Sequence, residues 1–221
     1  MFTGIIKEIG RVEAIQSTGG GIKIRIAARE SVAGLNRDDS VAVNGVCLTV
    51  LERDESSFEV EAVEETLAKT SLGSVRAGAQ LNLERPLRLQ DRLDGHVVLG
   101  HVDAVGTLER IDRRESSWMF SVTIPPDFLH LVVHTGSIAI DGVSLTVATL
   151  NGAAIQVSII PHTMSNTIFR HYRPQDTVNL EFDVIGKYIE RLLRSRPPQS
   201  PAGQPGEERV LSEAHLRSLG F

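Results

Sequence analysis

The sequence predicts an all-β protein built from two tandem copies of one small antiparallel barrel. Three observations carry that expectation. First, SVAVNGVCLTV (Ser40 to Val50) returns as SIAIDGVSLTV (Ser137 to Val147) with seven of eleven positions identical. Second, other blocks recur in the same order: Cys47 and Ser144 stand 97 residues apart, as do Thr66 and Thr163, and LNLE (81–84) and VNLE (178–181). GIIKEIGRVEAI (4–15) likewise matches GHVDAVGTLERI (100–111) at a spacing of 96. Third, the apolar residues come in short alternating or β-branched runs, the period of half-buried strands. A unit of this length is too long for a solenoid repeat and long enough for a domain. Many short strands in so small a unit favour closure into a barrel, which leaves no exposed edge.

Taken in order, IKIRIA (22–27), VAVNGVCLTV (41–50) and FEVEAV (58–63) read as strands of the first unit. WMFSVTI (118–124), SIAIDGVSLTV and AIQVSII (154–160) hold the matching places in the second. Turn residues separate them at TGGG (18–21), RDESS (53–57) and LNG (150–152). Asn44-Gly45 and Asp141-Gly142 fall inside the repeated runs. Asn-Gly and Asp-Gly supply positive φ, so each run is either two strands meeting at a tight turn or one strand with a bulge. Helical signals are fewer: PPDFLHLVVHTG (125–136) has a proline start and a glycine stop, and ARESVAGL (28–35) is its weaker counterpart. IGKYIERLLRS (185–195) is unrepeated and sets Ile185, Tyr188, Ile189, Leu192 and Leu193 on one stripe that needs a partner. PPQSPAGQPGEE (197–208) has the composition of a disordered segment, and RVLSEAHLRSLGF (209–221) that of a small terminal helix. The expected division is 1–95, 96–184, a helix over 185–195 and a tail over 196–221.

Composition narrows the function. A net charge of −5 and a pI near 5.8 leave no basic footprint for nucleic acid. One cysteine excludes an intrachain disulfide and fits a reducing compartment. No leader pattern opens the chain and no apolar run approaches the ~18 residues of a membrane span, so a cytoplasmic protein is expected.

No phosphate loop, GxGxxG, GxSxG or CxxC occurs. Chemistry must therefore come from residues set on the repeated strands. Cys47, alone on a strand, is most simply a small buried hydrophobe, but its counterpart Ser144 is again small and polar. Thr49 and Thr146 fall two residues on, hence on the same strand face. His96 and His101 lack a third ligand for zinc, and His130 and His134 share a helix face without a carboxylate or cysteine beside them. His101 is better placed as an acid, base or orienting group, following Gly100 at the head of the second unit. Asp141 reads as a turn residue and Asp183 as a helix cap, each with an alternative as a buried acid.

MFTGII, NGVCLTV with DGVSLTV, GHVVLGHVD, ETLAKTSLG, IIPHT and VNLEFDVIGKYIERLL together resemble the riboflavin synthase family, over about residues 1 to 195. The resemblance implies two similar six-stranded antiparallel Greek-key β-barrels plus a C-terminal α-helix that assembles a homotrimer. It implies dismutation of two 6,7-dimethyl-8-ribityllumazine molecules without metal or redox cofactor, at a site joining the first barrel of one subunit to the second barrel of its neighbour. Lumazine synthase is then a candidate partner. The residues it points to around the first barrel are Gly4, Ile5, Ile6, Ser40, Cys47, Leu48, Thr49, Glu61, Ala62, Val63, Glu64, Glu65 and Thr66. Around the second they are Gly100, His101, Val102, Ser144, Leu145, Thr146, Ile160, Pro161, His162, Thr163, Met164 and Ser165. Cys47 and Ser40 are expected to assist at one ring, His101, Ser144 and Asp183 to move protons, and Phe2 to pack on the reacting rings. Two positions depart from the family's pattern: Thr135, often Lys, at a ligand contact, and Leu99, often Ser or Gln. They keep open a second reading, a lumazine or flavin carrier without turnover.

Overall fold

The computed structural model describes residues 1–195; the expected tail and its terminal helix lie outside them. Six strands form the first barrel: β1 (Glu8–Ser17), β2 (Gly21–Ala27), β3 (Ser40–Val43), β4 (Val46–Arg53), β5 (Ser57–Val63) and β6 (Gln80–Glu84). They close antiparallel in the order β1-β2-β5-β4-β3-β6. The second barrel repeats that order with β7 (Ala104–Arg113), β8 (Trp118–Thr123), β9 (Ser137–Ile140), β10 (Val143–Asn151), β11 (Ala154–Ile159) and β12 (Thr177–Phe182). Bulges recur at matching places, at Val12/Ala14 and Leu108/Arg110, and at Val50/Glu52 and Val147/Thr149. Each adds a local bend, which lets strands of this length curl around so small a core.

Alternation decides what fills the barrels. Along β4, Val46, Leu48 and Val50 are buried while Cys47 and Thr49 face outward. The inward set joins Ile24, Ile26, Phe58, Val60 and Leu83 in the first core. Phe120, Val122, Ile155, Phe169 and Leu180 fill the second. Each such side chain contributes about 1.5–3 kcal/mol on burial. The barrels are therefore solid, and Cys47 and Thr49 stand on the outer wall.

The repeated runs resolve as two strands and a tight turn. Asn44 (φ 46) and Gly45 (φ 75) form one turn, Asp141 (φ 44) and Gly142 (φ 77) the other. These turns meet tip to tip: a Cβ on Gly45 would lie 2.6 Å from the Gly142 nitrogen. A ring of amide groups seals the contact. Asn82 Nδ2 donates to the Asp141 carbonyl (3.0 Å) and Asn179 Nδ2 to the Asn44 carbonyl (2.8 Å). Asn82 Oδ1 accepts the Ile168 N–H and Asn179 Oδ1 the Ser71 N–H, at 2.9 and 2.7 Å. Two strand asparagines thus bind the barrels to each other about a pseudo-twofold axis.

The helical expectations are modified. The 125–136 segment is only a 3-10 turn over Pro126–Leu131, and 28–35 only one over Val32–Gly34. The β-branched Val132 and Val133, then Thr135 at φ 60, stop the longer one. Two short helices arise instead from repeated blocks, α1 (Glu64–Lys69) and α2 (Pro161–Asn166). Thr70 donates back to the Thr66 carbonyl and Thr167 to the Thr163 carbonyl, at 2.7 and 2.8 Å, which accounts for a threonine at both 70 and 167. The last helix, α3 (Val184–Arg194), begins where Asp183 Oδ1 accepts the Ile185 N–H at 3.0 Å. By its contacts the chain divides into a body, Met1–Tyr188, and a second unit from Ile189 onward.

Candidate functional site

The segment preceding each barrel crosses to the other one. Ser144 of β10 donates its N–H to the Gly4 carbonyl, and Cys47 of β4 donates to the Gly100 carbonyl, both at 2.8 Å. Both glycines hold positive φ, +78 and +80, and a Cβ on either would come within 2.5 Å of the Ser144 or Cys47 Cβ. No other residue fits there. Phe2 and Val98 pair where the two segments pass each other.

This crossing regroups the expected site residues. One group has Cys47 and Thr49 on the outer wall, with Ser40 opposite Thr49 in the β3–β4 pairing. Gly100, His101 and Val102 cross to it, whereas Gly4, Ile5 and Ile6 leave it for the other group. Glu61, Ala62 and Val63 end β5, and Glu64, Glu65 and Thr66 open α1 beside it. His101 is exposed, and Glu65 is drawn to Lys69 at 2.6 Å. The second group has Ser144 and Thr146 on the outer wall of β10, facing Ala139 and Ser137 of β9. Ile160 leads into α2 with Pro161, His162, Thr163, Met164 and Ser165. Leu48 points into the first core, and Leu145 packs against the second. Phe2 is fully buried with Ala42, Val98 and Ala139 behind Cys47. Thr135 turns its hydroxyl to the His134 carbonyl at 2.6 Å.

Electrostatics separate the two groups. His96, weighed above only as a metal ligand, places Nδ1 2.7 Å from Ser144 Oγ. Its Nε2 is buried without a partner among the described residues. Burial holds the imidazole below its ordinary pKa, against a weaker opposing pull from the Asp183 charge. A neutral imidazole on a hydroxyl is a proton acceptor at neutral pH. The Cys47 thiol has no hydrogen-bond partner among the described residues and is only partly exposed. Two similar walls thus carry different chemistry, a serine coupled to a base and a free thiol.

Other polar residues in the site region were legible only as repeat markers. The Asn and Glu of LNLE and VNLE recur in strands otherwise apolar, and the structure buries all four. Persistence of a buried polar pair through duplication was the signal. A cleft of about 830 Å³ follows the linker after β6, lined by Thr3, Ile5, Lys7 and Arg85. Gly4 does not line it, and of the expected residues only Ile5 reaches it. Neither Cys47 nor Ser144 lines this cleft.

Duplicated six-stranded barrels with paired, unequal outer walls define a tandem-barrel protein. The family model described as lumazine binding domain matches residues 3–86 and 99–183. A riboflavin synthase of Bacillus amyloliquefaciens is 39% identical over 221 residues, the whole of both chains. One from Bacillus subtilis is 36% identical over the same span, and one from Mycobacterium tuberculosis 39% identical over 88% of this chain and 99% of its own. The fold is shared with LumP, solved with riboflavin, at a TM-score of 0.77 and 20% identity, covering 82% of this chain and 99% of that one. The chain belongs to the riboflavin synthase family, with two lumazine-binding domains.

Proposed function

We propose that the chain is a transferase converting two molecules of 6,7-dimethyl-8-ribityllumazine into riboflavin and 5-amino-6-(D-ribitylamino)uracil by moving a four-carbon unit. The atoms of two lumazines equal those of the two products, so the reaction balances without an external oxidant or reductant. The observation that carries this reading is the pair of unlike walls on like barrels. One substrate must bind twice, yet one copy gives carbon and the other receives it.

The 7-methyl group of a lumazine is acidic because its carbanion delocalises into the ring. At the Ser144 wall, the hydroxyl passes a proton toward His96 Nδ1, 2.7 Å away. Such acid–base help is worth about 10²–10⁴-fold. At the Cys47 wall, the thiol activates the second ring, with Ser40 and Thr49 on the same face. His101 is exposed and free to meet a ligand. Asp183, beside α3, tunes His96 by its charge. Orientation of the two rings supplies the larger share, about 7–11 kcal/mol in well-aligned cases.

The reading extends to assembly. Ile185, Tyr188, Ile189, Leu192 and Leu193 of α3 are each more than half exposed. Such a stripe fits a homotrimer in which one chain's Cys47 wall faces its neighbour's Ser144 wall. On it the units run 1–95 and 96–184, the helix serves assembly, the enzyme is cytoplasmic, and lumazine synthase, the source of the substrate, is a partner. The test is incubation of the purified chain with 6,7-dimethyl-8-ribityllumazine alone. Riboflavin absorbance is expected to grow as the lumazine fades; binding without product overturns the reading.

A further inference from the structure

Two buried glutamates outside the reacting groups close the barrels at equivalent places. Glu84 ends β6 and Glu181 lies near the end of β12, each 3% exposed. Glu84 accepts from the Thr3 N–H and hydroxyl, both at 2.7 Å, and from the Gly4 N–H at 3.0 Å. Glu181 accepts from the N–H groups of Leu99, Gly100 and His101 at 2.7, 2.9 and 3.1 Å. We propose that both are positioning residues acting crosswise: Glu84 of the first barrel sets Ser144 of the second, and Glu181 of the second sets Cys47 of the first.

A peptide group is rigid, so holding its N–H aims its carbonyl. The Gly100–His101 peptide has its N–H on Glu181 and its carbonyl on the Cys47 N–H, at 3.1 and 2.8 Å. In the Gly4–Ile5 peptide, the Ile5 N–H is held by Thr3 Oγ1 at 3.1 Å, and that hydroxyl is held by Glu84. The carbonyl of that peptide meets the Ser144 N–H at 2.8 Å. Leu99, at the place of Thr3, has no hydroxyl to relay, and there the carboxylate takes the N–H directly. Hydrogen bonds to a carboxylate are the stronger kind. Neither plane has slack, because both glycines press against the residue they support. Desolvation raises both glutamate pKa values above the ordinary one, as expected of carboxylates withdrawn from water. The catalytic meaning of the clamps rests on the function proposed above; their geometry does not.

Cys47 is the chain's only cysteine, so its alkylation by iodoacetamide reads one clamp alone. In Glu181→Gln, Gly100 lifts from the thiol and alkylation should quicken about fivefold or more, as local opening exposes it. Glu84→Gln and Thr3→Val should stay within about twofold of the native rate. Thr3→Val should instead lower turnover, with Thr3→Ser restoring it. Equal acceleration in Glu84→Gln and Glu181→Gln overturns the crosswise assignment, and so does an unchanged rate in Glu181→Gln. A general loss of stability would raise both rates alike. If Glu181→Gln fails to fold, Glu181→Asp, charged but shorter, must show the same faster alkylation. Alkylation needs no lumazine, so a chain without turnover would sink the proposed reaction and leave this test standing.

Discussion

Asp141 and Asn44 occupy the same turn position and make the same backbone bond, yet only one can ionise. Asn44 Oδ1 accepts the Asn82 N–H at 2.7 Å, and Asp141 Oδ1 accepts the Asn179 N–H at 3.0 Å. Asp141 also accepts from the Tyr172 hydroxyl at 2.5 Å. Desolvation pushes the Asp141 pKa up from 3.8 to about 7. The native state then holds this proton more tightly than the unfolded chain. Its contribution to stability is present at low pH and is lost as pH rises through that interval. Asp141→Asn removes the ionisation, so its melting temperature should exceed the native one at pH 8.5, with the gap closing toward pH 5. The effect is bounded at about 4 kcal/mol by the size of the shift. A gap independent of pH would refute the burial argument. His96 carries the complementary prediction. His96→Gln can still bond Ser144 but accepts no proton at neutral pH, so kcat should fall about 10²–10⁴-fold with little change in melting. In the native enzyme the acid limb of kcat should lie below 6.5, because burial lowers this imidazole's pKa. The part played by His96 was not legible in the sequence, whereas burial of Asp141 had stood there as the alternative to a turn and is the one realised. Asp141 read as a turn residue because Asp-Gly suffices for a turn, and only the packed second barrel buries it.

At the scale of elements, the repeat fixed more than periodicity could. Strand identity followed from alternation because each strand has one wall in a core and one outside. The direction of that alternation did not follow: both Cys47 and Leu48 could face inward on composition, and only the closed barrel turns Cys47 out. The short helices α1 and α2 were missed because six residues are too few for an amphipathic period. α3 was legible for the opposite reason, with a stripe spanning its whole length. That stripe predicts a concentration-dependent assembly. Each Leu or Ile buried between copies contributes about 1.5–3 kcal/mol. Leu192→Lys with Ile189→Lys should convert a trimer to monomer by sedimentation while barrel melting stays near native. A chain already monomeric without these changes would remove α3 from assembly.

The whole molecule is organised by a pseudo-twofold axis that relates the folds and not the reactive groups. Crossing of the leading segments makes each reactive wall partly the work of the other barrel. The crossing is invisible in sequence because chain order places Gly4 beside the first barrel, and only the Phe2–Val98 passage sends it to the second. The two walls of one chain therefore form as a unit. If the surfaces come from neighbouring copies, two variants that are each inactive should rescue one another. Cys47→Ala disables the first-barrel wall and Ser144→Ala the second. Subunits carrying one defect, exchanged with subunits carrying the other, place an intact first-barrel wall against an intact second-barrel wall in about a quarter of random contacts. Turnover should rise from the level of either variant toward that fraction of the native rate. Absence of any rise, with exchange confirmed by mass labelling, would mean that both walls serving one reaction belong to a single chain.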